Sequence, residues 1–332
     1  MFRYFKRVKI FFTVLILLLF FVFLASRGQV HETEALSYGL TFSKKQAQAL
    51  GFNWQEIYLS IFDDLGVKKI RLPAYWDEIE KTEGEFFWQD LDWQIAQAGK
   101  RRAKIVLAVG ARLPRWPECH FPAWTAGRLK AQIENKTLDY LTKVIERYKD
   151  NQSIAAWQIE NEPFLSHFGD CPKFDKKFLD QEIVLVRNLD ARPIIITDSG
   201  ELSLWLGAAR RADIFGTSIY RHTYSNFFKR YIHYPIAPGF FRFKKNLVSL
   251  FAKPKDWLVI ELQAEPWGPA PYQTLSQADR DRTMDPEKFK EIIEFSRQAG
   301  FREFYLWGAE WWYWELAQGR PEVWNYAKTL FK

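Results

Sequence analysis

Trp157-Gln158-Ile159-Glu160-Asn161-Glu162-Pro163 is the stretch on which the reading of this chain turns. Ile154 to Ile159 has the composition of a buried strand, and Asn-Glu-Pro follows it directly. Proline donates no hydrogen bond to a ladder, so the strand stops there. A carboxylate beside a carboxamide at the mouth of a strand builds a poor core. It is a good way to present an acid to a ligand.

A second apolar run, Trp257-Leu258-Val259-Ile260-Glu261, also ends on a glutamate, 99 positions after Glu162. In a chain of alternating strands and helices that interval holds about three βα units of roughly 30 residues each. Carboxylates at the C-terminal ends of two strands of one barrel point into the same bowl. Each glutamate taken singly is also compatible with a strand end facing solvent.

Working outward, apolar runs at Leu36–Phe42, Lys68–Leu72, Ala103–Val109, Pro193–Thr197, Ile214–Tyr220 and Glu303–Trp307 supply six further strands. Helical spacing of apolar residues marks Trp54–Leu65, Trp88–Ala98, Leu129–Tyr148, Lys176–Leu189, Leu202–Ala209, Pro286–Ala299 and Val323–Phe331 between them. Pro286 sits in a first turn, where its missing N–H is harmless. Eight strands alternating with helices predict the α/β class and a single (β/α)8 TIM barrel over residues 36–332. Asn226–Pro254 is the least regular part, mixing Phe227, Phe228, Tyr231, Tyr234, Phe240, Phe241 and Phe243 with Lys229, Arg230, Arg242, Lys244 and Lys245. It reads as a sixth helix with an inserted excursion, as a lid over the bowl, or as a patch resting on an anionic membrane.

Residues 1–29 read differently. Arg3, Lys6, Arg7 and Lys9 precede an apolar run from Ile10 to Ala25. A basic segment before an apolar one is an export signal, with the N-terminus left in the cytoplasm. Phe23 and Ala25 make a poor cleavage pair, so the expectation is an uncleaved transmembrane signal anchor, with a cleaved signal peptide as the alternative. Residues 30–35 are then a linker, and the barrel is extracytoplasmic.

The net charge of +7 is concentrated in this segment. Five basic and no acidic residues fall in 1–30, leaving 42 basic against 40 acidic residues beyond it. The balance gives no support to a nucleic-acid partner. Outside the cytoplasm the two cysteines, Cys119 and Cys171, can oxidise, and they follow neighbouring strands, so a disulfide is expected. The alternative is two separate thiols. Five scattered histidines argue against a catalytic metal, and HExxH, GxSxG, GxGxxG and GxxxxGK[ST] are all absent, so no cofactor is expected.

Two glutamates facing one cavity suit cleavage of a glycosidic bond, one protonated and the other ionised. Arg71, ending the second strand, is a suitable donor to hold a glutamate ionised, and Tyr220, ending the sixth, can orient the same carboxylate. Asn161 can hold a sugar hydroxyl, and His222 or His120 can support a subsite. The chain has 15 Trp, 14 Tyr and 29 Phe, more than packing requires. Flat rings pair with the apolar faces of sugars. Trp307 at the eighth strand end, and Trp76, Trp116, Trp124, Trp267, Trp311 and Trp312 in assigned loops, are the candidates.

Taken together, Asn161-Glu162-Pro163, Glu261, Arg71, Tyr220 and Trp307 resemble glycoside hydrolase clan A, the retaining β-glycosidases built on a (β/α)8 barrel. The stretch from Arg71 through Trp76, Glu80, Gly84-Glu85-Phe86 and Leu91-Asp92 is similar to cellulase-type and β-galactosidase-type members. The resemblance covers residues 36–331. It implies Glu162 as acid/base and Glu261 as nucleophile, with carboxyls about 5–5.5 Å apart. Glu265-Pro266-Trp267 offers a competing glutamate four residues later, but Glu261 closes the apolar run. Two other readings remain: a non-catalytic, membrane-tethered carbohydrate-binding relative, and a tethered scaffold whose aromatic loops meet a protein partner.

Overall fold

The computed structural model describes residues 35–165, 168–173 and 175–331. The signal anchor, and all but the last residue of the linker, lie outside the described residues. Among the described residues no helix is long and apolar enough to cross a membrane.

Eight parallel strands close into a barrel. They are β1 (Ser37–Thr41), β2 (Lys69–Pro73), β3 (Lys104–Val109), β4 (Ile154–Ile159), β5 (Ile194–Asp198), β6 (Ile214–Ile219), β9 (Asp256–Gln263) and β10 (Glu303–Trp307). Between β6 and β9, strands β7 (His222–Ser225) and β8 (Arg230–His233) form a separate antiparallel hairpin. Pairing of Ser37 with Glu303 through Thr41 with Trp307 closes the cylinder. Closure leaves no unpaired edge.

Alternation along the strands divides the core in two. Ile105, Leu107, Val109, Val259 and Leu262 face outward and join the large cluster under the helices. Val106, Ala156, Ile195, Leu258, Ile260 and Tyr305 form a small separate cluster, the packed interior of the barrel. Arg71 and Gln158 lie on the inward face above it, fully buried.

The outer helices follow the apolar periodicity. Trp54, Ile57, Tyr58, Ile61 and Phe62 form the buried stripe of the helix Trp54–Asp63. Helix Pro286–Arg297 starts where Asp285 accepts from Lys288 N at 2.7 Å. Asn226–Pro254 resolves into the hairpin and a helix, Pro238–Ser249. Two expectations need correction. Leu202–Ala209 is helical only from Leu206, because Trp205 takes φ +68° before it. Ala309–Ala317 is a helix and not a loop, with Trp311 and Trp312 buried in the core. Its aromatic residues surround the helix, so no amphipathic stripe announces it.

Candidate active site

Glu162 stands three residues beyond the end of β4. Glu160 and Glu162 both take left-handed backbone, φ +55° and +43°, which is strained for non-glycine residues. The turn is pinned on both sides. Glu160 N donates to Val109 O at 2.9 Å, Asn161 N to Arg112 O at 2.7 Å, and Glu162 N to Thr197 Oγ1 at 2.7 Å. Gly110 has to be glycine here, since a Cβ would lie 2.3 Å from Glu160 Oε1.

Glu261 reaches the bowl by a different device. Thr217 pairs with Val259, but the next residue, Ser218, pairs with Glu261; on the other side Phe304 pairs with Val259 and Leu306 with Leu262. One extra residue is therefore accommodated in β9. Ile260 belongs to the barrel interior and Leu262 to the outer layer. The bulge lets consecutive residues Ile260 and Glu261 both face inward, so the carboxylate enters the bowl instead of the helix layer.

Both carboxyls are almost covered, Glu162 at 7% exposure and Glu261 at 5%. Their partners differ. Glu261 Oε1 accepts from Arg71 NH1 at 2.8 Å and Oε2 from the Tyr220 hydroxyl at 3.0 Å. Glu162 Oε1 accepts from the Ser218 hydroxyl at 2.7 Å. Burial, followed by the negative charge of Glu261, holds Glu162 well above the usual carboxylate range. Burial and the same charge keep the Tyr220 phenol protonated and able to donate.

Arg71 organises this half of the bowl. Its Nε donates to Gln158 Oε1 at 2.7 Å and its NH2 to Asn161 Oδ1 at 2.7 Å. That bond fixes the Asn161 amide, whose Nδ2 donates to Glu118 Oε2 at 3.2 Å. Glu118 is a third buried carboxyl, pushed up to about 8 by burial and then by Glu261. It also has left-handed backbone, φ +72°.

A second cluster lies across the bowl. Arg115, from the loop after β3, binds Glu265 with both terminal nitrogens and Glu310 through NH2 at 3.2 Å. Its guanidinium lies 4.2 Å over the Trp307 ring, and Trp307 Nε1 donates to Glu265 Oε1 at 2.8 Å. Glu265, the competing glutamate, is thus tied to an arginine and an indole. Among the described residues no group of His, Cys, Asp or Glu is arranged to hold a metal ion.

The structure therefore brings Arg71, Asn161, Glu162, Tyr220 and Glu261 together and separates others. Trp307 borders the bowl with a ring face covered by Arg115. Trp116 is exposed at the rim, 6.4 Å from Phe168, which in turn is 5.6 Å from Trp267. Trp267 packs edge-on against Tyr220 at 5.2 Å. Trp76 does not reach the bowl: it is wholly buried, stacks on Tyr140 at 5.4 Å and donates to Glu80 at 2.7 Å. It sits in a short helix, Trp76–Ile79, whose packing turns it outward from the barrel. His222 is held in the hairpin by Glu291 at 3.2 Å and His233 at 3.1 Å and touches neither catalytic candidate. Cys119 and Cys171 form a disulfide.

Gln158, Ser218, Glu118, Arg115 and Glu310 escaped the sequence reading. A polar residue inside an apolar strand was a usable signal for Gln158 and Ser218. Loop-borne Glu118 and Arg115 carried none.

No protein-family model matches the chain. Over 172 residues it is 24% identical to the β-galactosidase BgaA of Clostridium cellulovorans, a match covering 44% of this chain and 25% of that protein. The chain thus spans about a quarter of that relative's length. A GH5_18 protein from Streptomyces cattleya, solved in complex with GlcNAc, superposes with a TM-score of 0.57 at 13% identity, covering 82% of this chain and 70% of that one. Gan42B, a GH42 β-galactosidase from G. stearothermophilus, gives 0.57 at 13% identity, covering 85% and 52%. Sequence likeness is low throughout, and what is shared is the closed eight-strand parallel barrel: the chain has the fold of the clan A glycosidases.

Proposed function

We propose that the protein is a retaining glycoside hydrolase that cleaves β-glycosidic bonds of an oligo- or polysaccharide by double displacement. The observation that carries this reading is the asymmetry of the two buried glutamates. Glu261 accepts from a guanidinium and a phenol, while Glu162 has one hydroxyl and is held protonated by burial and by its neighbour. Environments that separate the protonation of two carboxyls assign the acid and the nucleophile.

In the first step Glu162 gives its proton to the glycosidic oxygen as the bond from that oxygen to C1 breaks. A Glu261 oxygen forms an ester with C1. In the second step the ionised Glu162 takes a proton from water, whose oxygen bonds C1 and displaces Glu261 as carboxylate. Water has been added across the bond and the β configuration is retained.

A 2-fluoro β-glycoside with a good leaving group tests this. It should trap an ester on Glu261, located by peptide mass spectrometry, and labelling of any other residue sinks the assignment. A crystal structure with the carboxyls about 6.5 Å or more apart would point to inversion. The non-catalytic reading predicts that wild type and Glu261→Gln are equally inert while sugars still bind.

We further infer that residues 1–29 anchor the protein in a membrane, with the barrel domain outside the cytoplasm. The chain enters β1 at the barrel end opposite the bowl. Carbonate extraction of the full chain from membranes tests the anchor; release into the soluble fraction counts against it.

A further inference from the structure

The loop after β3 crosses the bowl. It leaves the third barrel strand and is fixed along its length. Glu160 accepts from Ala111 N at 2.8 Å and Arg112 N at 2.5 Å. Arg112 NH2 donates to Leu165 O at 3.0 Å and Phe168 O at 2.9 Å. The Tyr75 hydroxyl donates to Pro114 O at 2.9 Å, and Asp170 N to Pro117 O at 2.9 Å. The disulfide ties Cys119 to the loop after β4.

At its far reach Arg115 docks on the opposite wall. Glu265 follows the seventh barrel strand, β9, and Glu310 follows the eighth, β10. The side chains of Arg115, Glu265 and Glu310 are exposed by only 11%, 9% and 1%. An arginine buried between Glu265 and Glu310 makes a stiff contact, because any opening leaves a buried charge and its hydrogen-bonding partners unpaired. The loop is therefore a fixed strap over the side of the bowl formed by barrel strands eight, one and two.

A glycan lying through the bowl as an internal segment needs two exits, and the strap removes one. Glu162 identifies the exit that remains. Its carboxyl leans toward Ser218 on β6, on the unstrapped side. The group that takes the proton leaves there, so the sugar attacked at C1 lies toward the strap. There the strap, with Arg115 paired to Glu265 and Glu310 and lying over the Trp307 ring, stands between the bowl and solvent.

We propose that this site is a one-ended pocket that accepts the non-reducing terminal sugar of a β-linked glycan and releases it singly. The proposal rests on the two-glutamate reading for its direction and on the strap for its closed end.

The test uses the full-length wild-type protein and β-1,4-linked tetraoses of glucose, mannose and galactose. Each is supplied free and with a 4,6-O-benzylidene cap on the non-reducing sugar. Early products are resolved by chromatography, and binding is followed by tryptophan fluorescence. For the accepted sugar the first products should be monosaccharide and triose. Its capped form should be cleaved and bound at least about 100-fold less well. Disaccharide among the first products, or capped and free tetraoses handled within about tenfold of each other, overturns the closed pocket. Binding of free but not capped tetraose without any cleavage keeps the pocket and removes the hydrolase reading. Failure to bind or cleave any free tetraose overturns both.

Discussion

At the residue scale the site depends on what each carboxylate is bonded to. Ser218 donates the one hydroxyl bond to Glu162 Oε1, and that bond favours the ionised form. Ser218→Ala should raise Glu162 further and move the alkaline limb of the kcat/KM profile to higher pH. A limb that stays put or moves down would remove Ser218 from control of the acid. Glu162→Gln should lower kcat by about 10²–10⁴-fold on glycosides with poor leaving groups. The loss should be much smaller on activated aryl glycosides, which need little protonation. Equal losses on both would argue against Glu162 as the acid. Arg71 is fully buried and bonded to Gln158, Asn161 and Glu261. Arg71→Met leaves a buried carboxylate without its cation. It should lower the unfolding free energy by about 3–5 kcal/mol, read from urea unfolding.

At the element scale the strap after β3 is the most consequential part. Its disulfide joins residues 52 positions apart. In the chain-entropy account, a loop of that length contributes about 4 kcal/mol by restricting the unfolded chain. The double variant Cys119→Ser/Cys171→Ser should lose a stability of that order in urea unfolding. It should still be folded, because Arg115 and Glu160 hold the strap independently. A loss below about 1 kcal/mol would mean that the cross-link restricts little beyond what those contacts already do. The hairpin β7–β8 presents Phe227 and Phe228 to solvent, packed edge-on at 4.9 Å. It is a rim element, since it follows β6 at the bowl end of the barrel.

At the scale of the whole molecule, buried acids govern the response to pH. Burial raises Asp198 to about 6, Glu201 and Glu310 to about 7, and Glu118 to about 8. Each folded value lies above the ordinary carboxyl values of 3.8 for Asp and 4.5 for Glu. The folded state therefore holds protons that the unfolded chain has released. Their stabilisation is complete below those lower values and is lost as pH rises through about 6 to 8. Lys244, lowered to about 8 by burial, acts in the opposite sense only above that value. The melting temperature should therefore fall between pH 6 and 8.5, and a flat or rising profile would contradict the burial of these groups as acids. Glu118→Gln should flatten the upper part of the fall, because the amide cannot ionise.

Much of this was legible in the order of residues. The eight apolar runs separated by helical spacing determined the barrel. Strand periodicity and turn residues are local properties, and closure follows from their number. Asn161-Glu162-Pro163 and Glu261 located the carboxyl pair, because acids at the ends of apolar strands stand out against their neighbours. The tertiary structure alone decided three things. The bulge at Ile260-Glu261 turned the second carboxylate inward, against the plain alternation of its strand. Trp76, Trp311 and Trp312 went to the core, since an indole in a helix packs wherever its helix is docked. Arg115 and Glu118 entered the site from a loop, and a loop's path is set by what it meets across the barrel: here two glutamates, an indole and a distant cysteine.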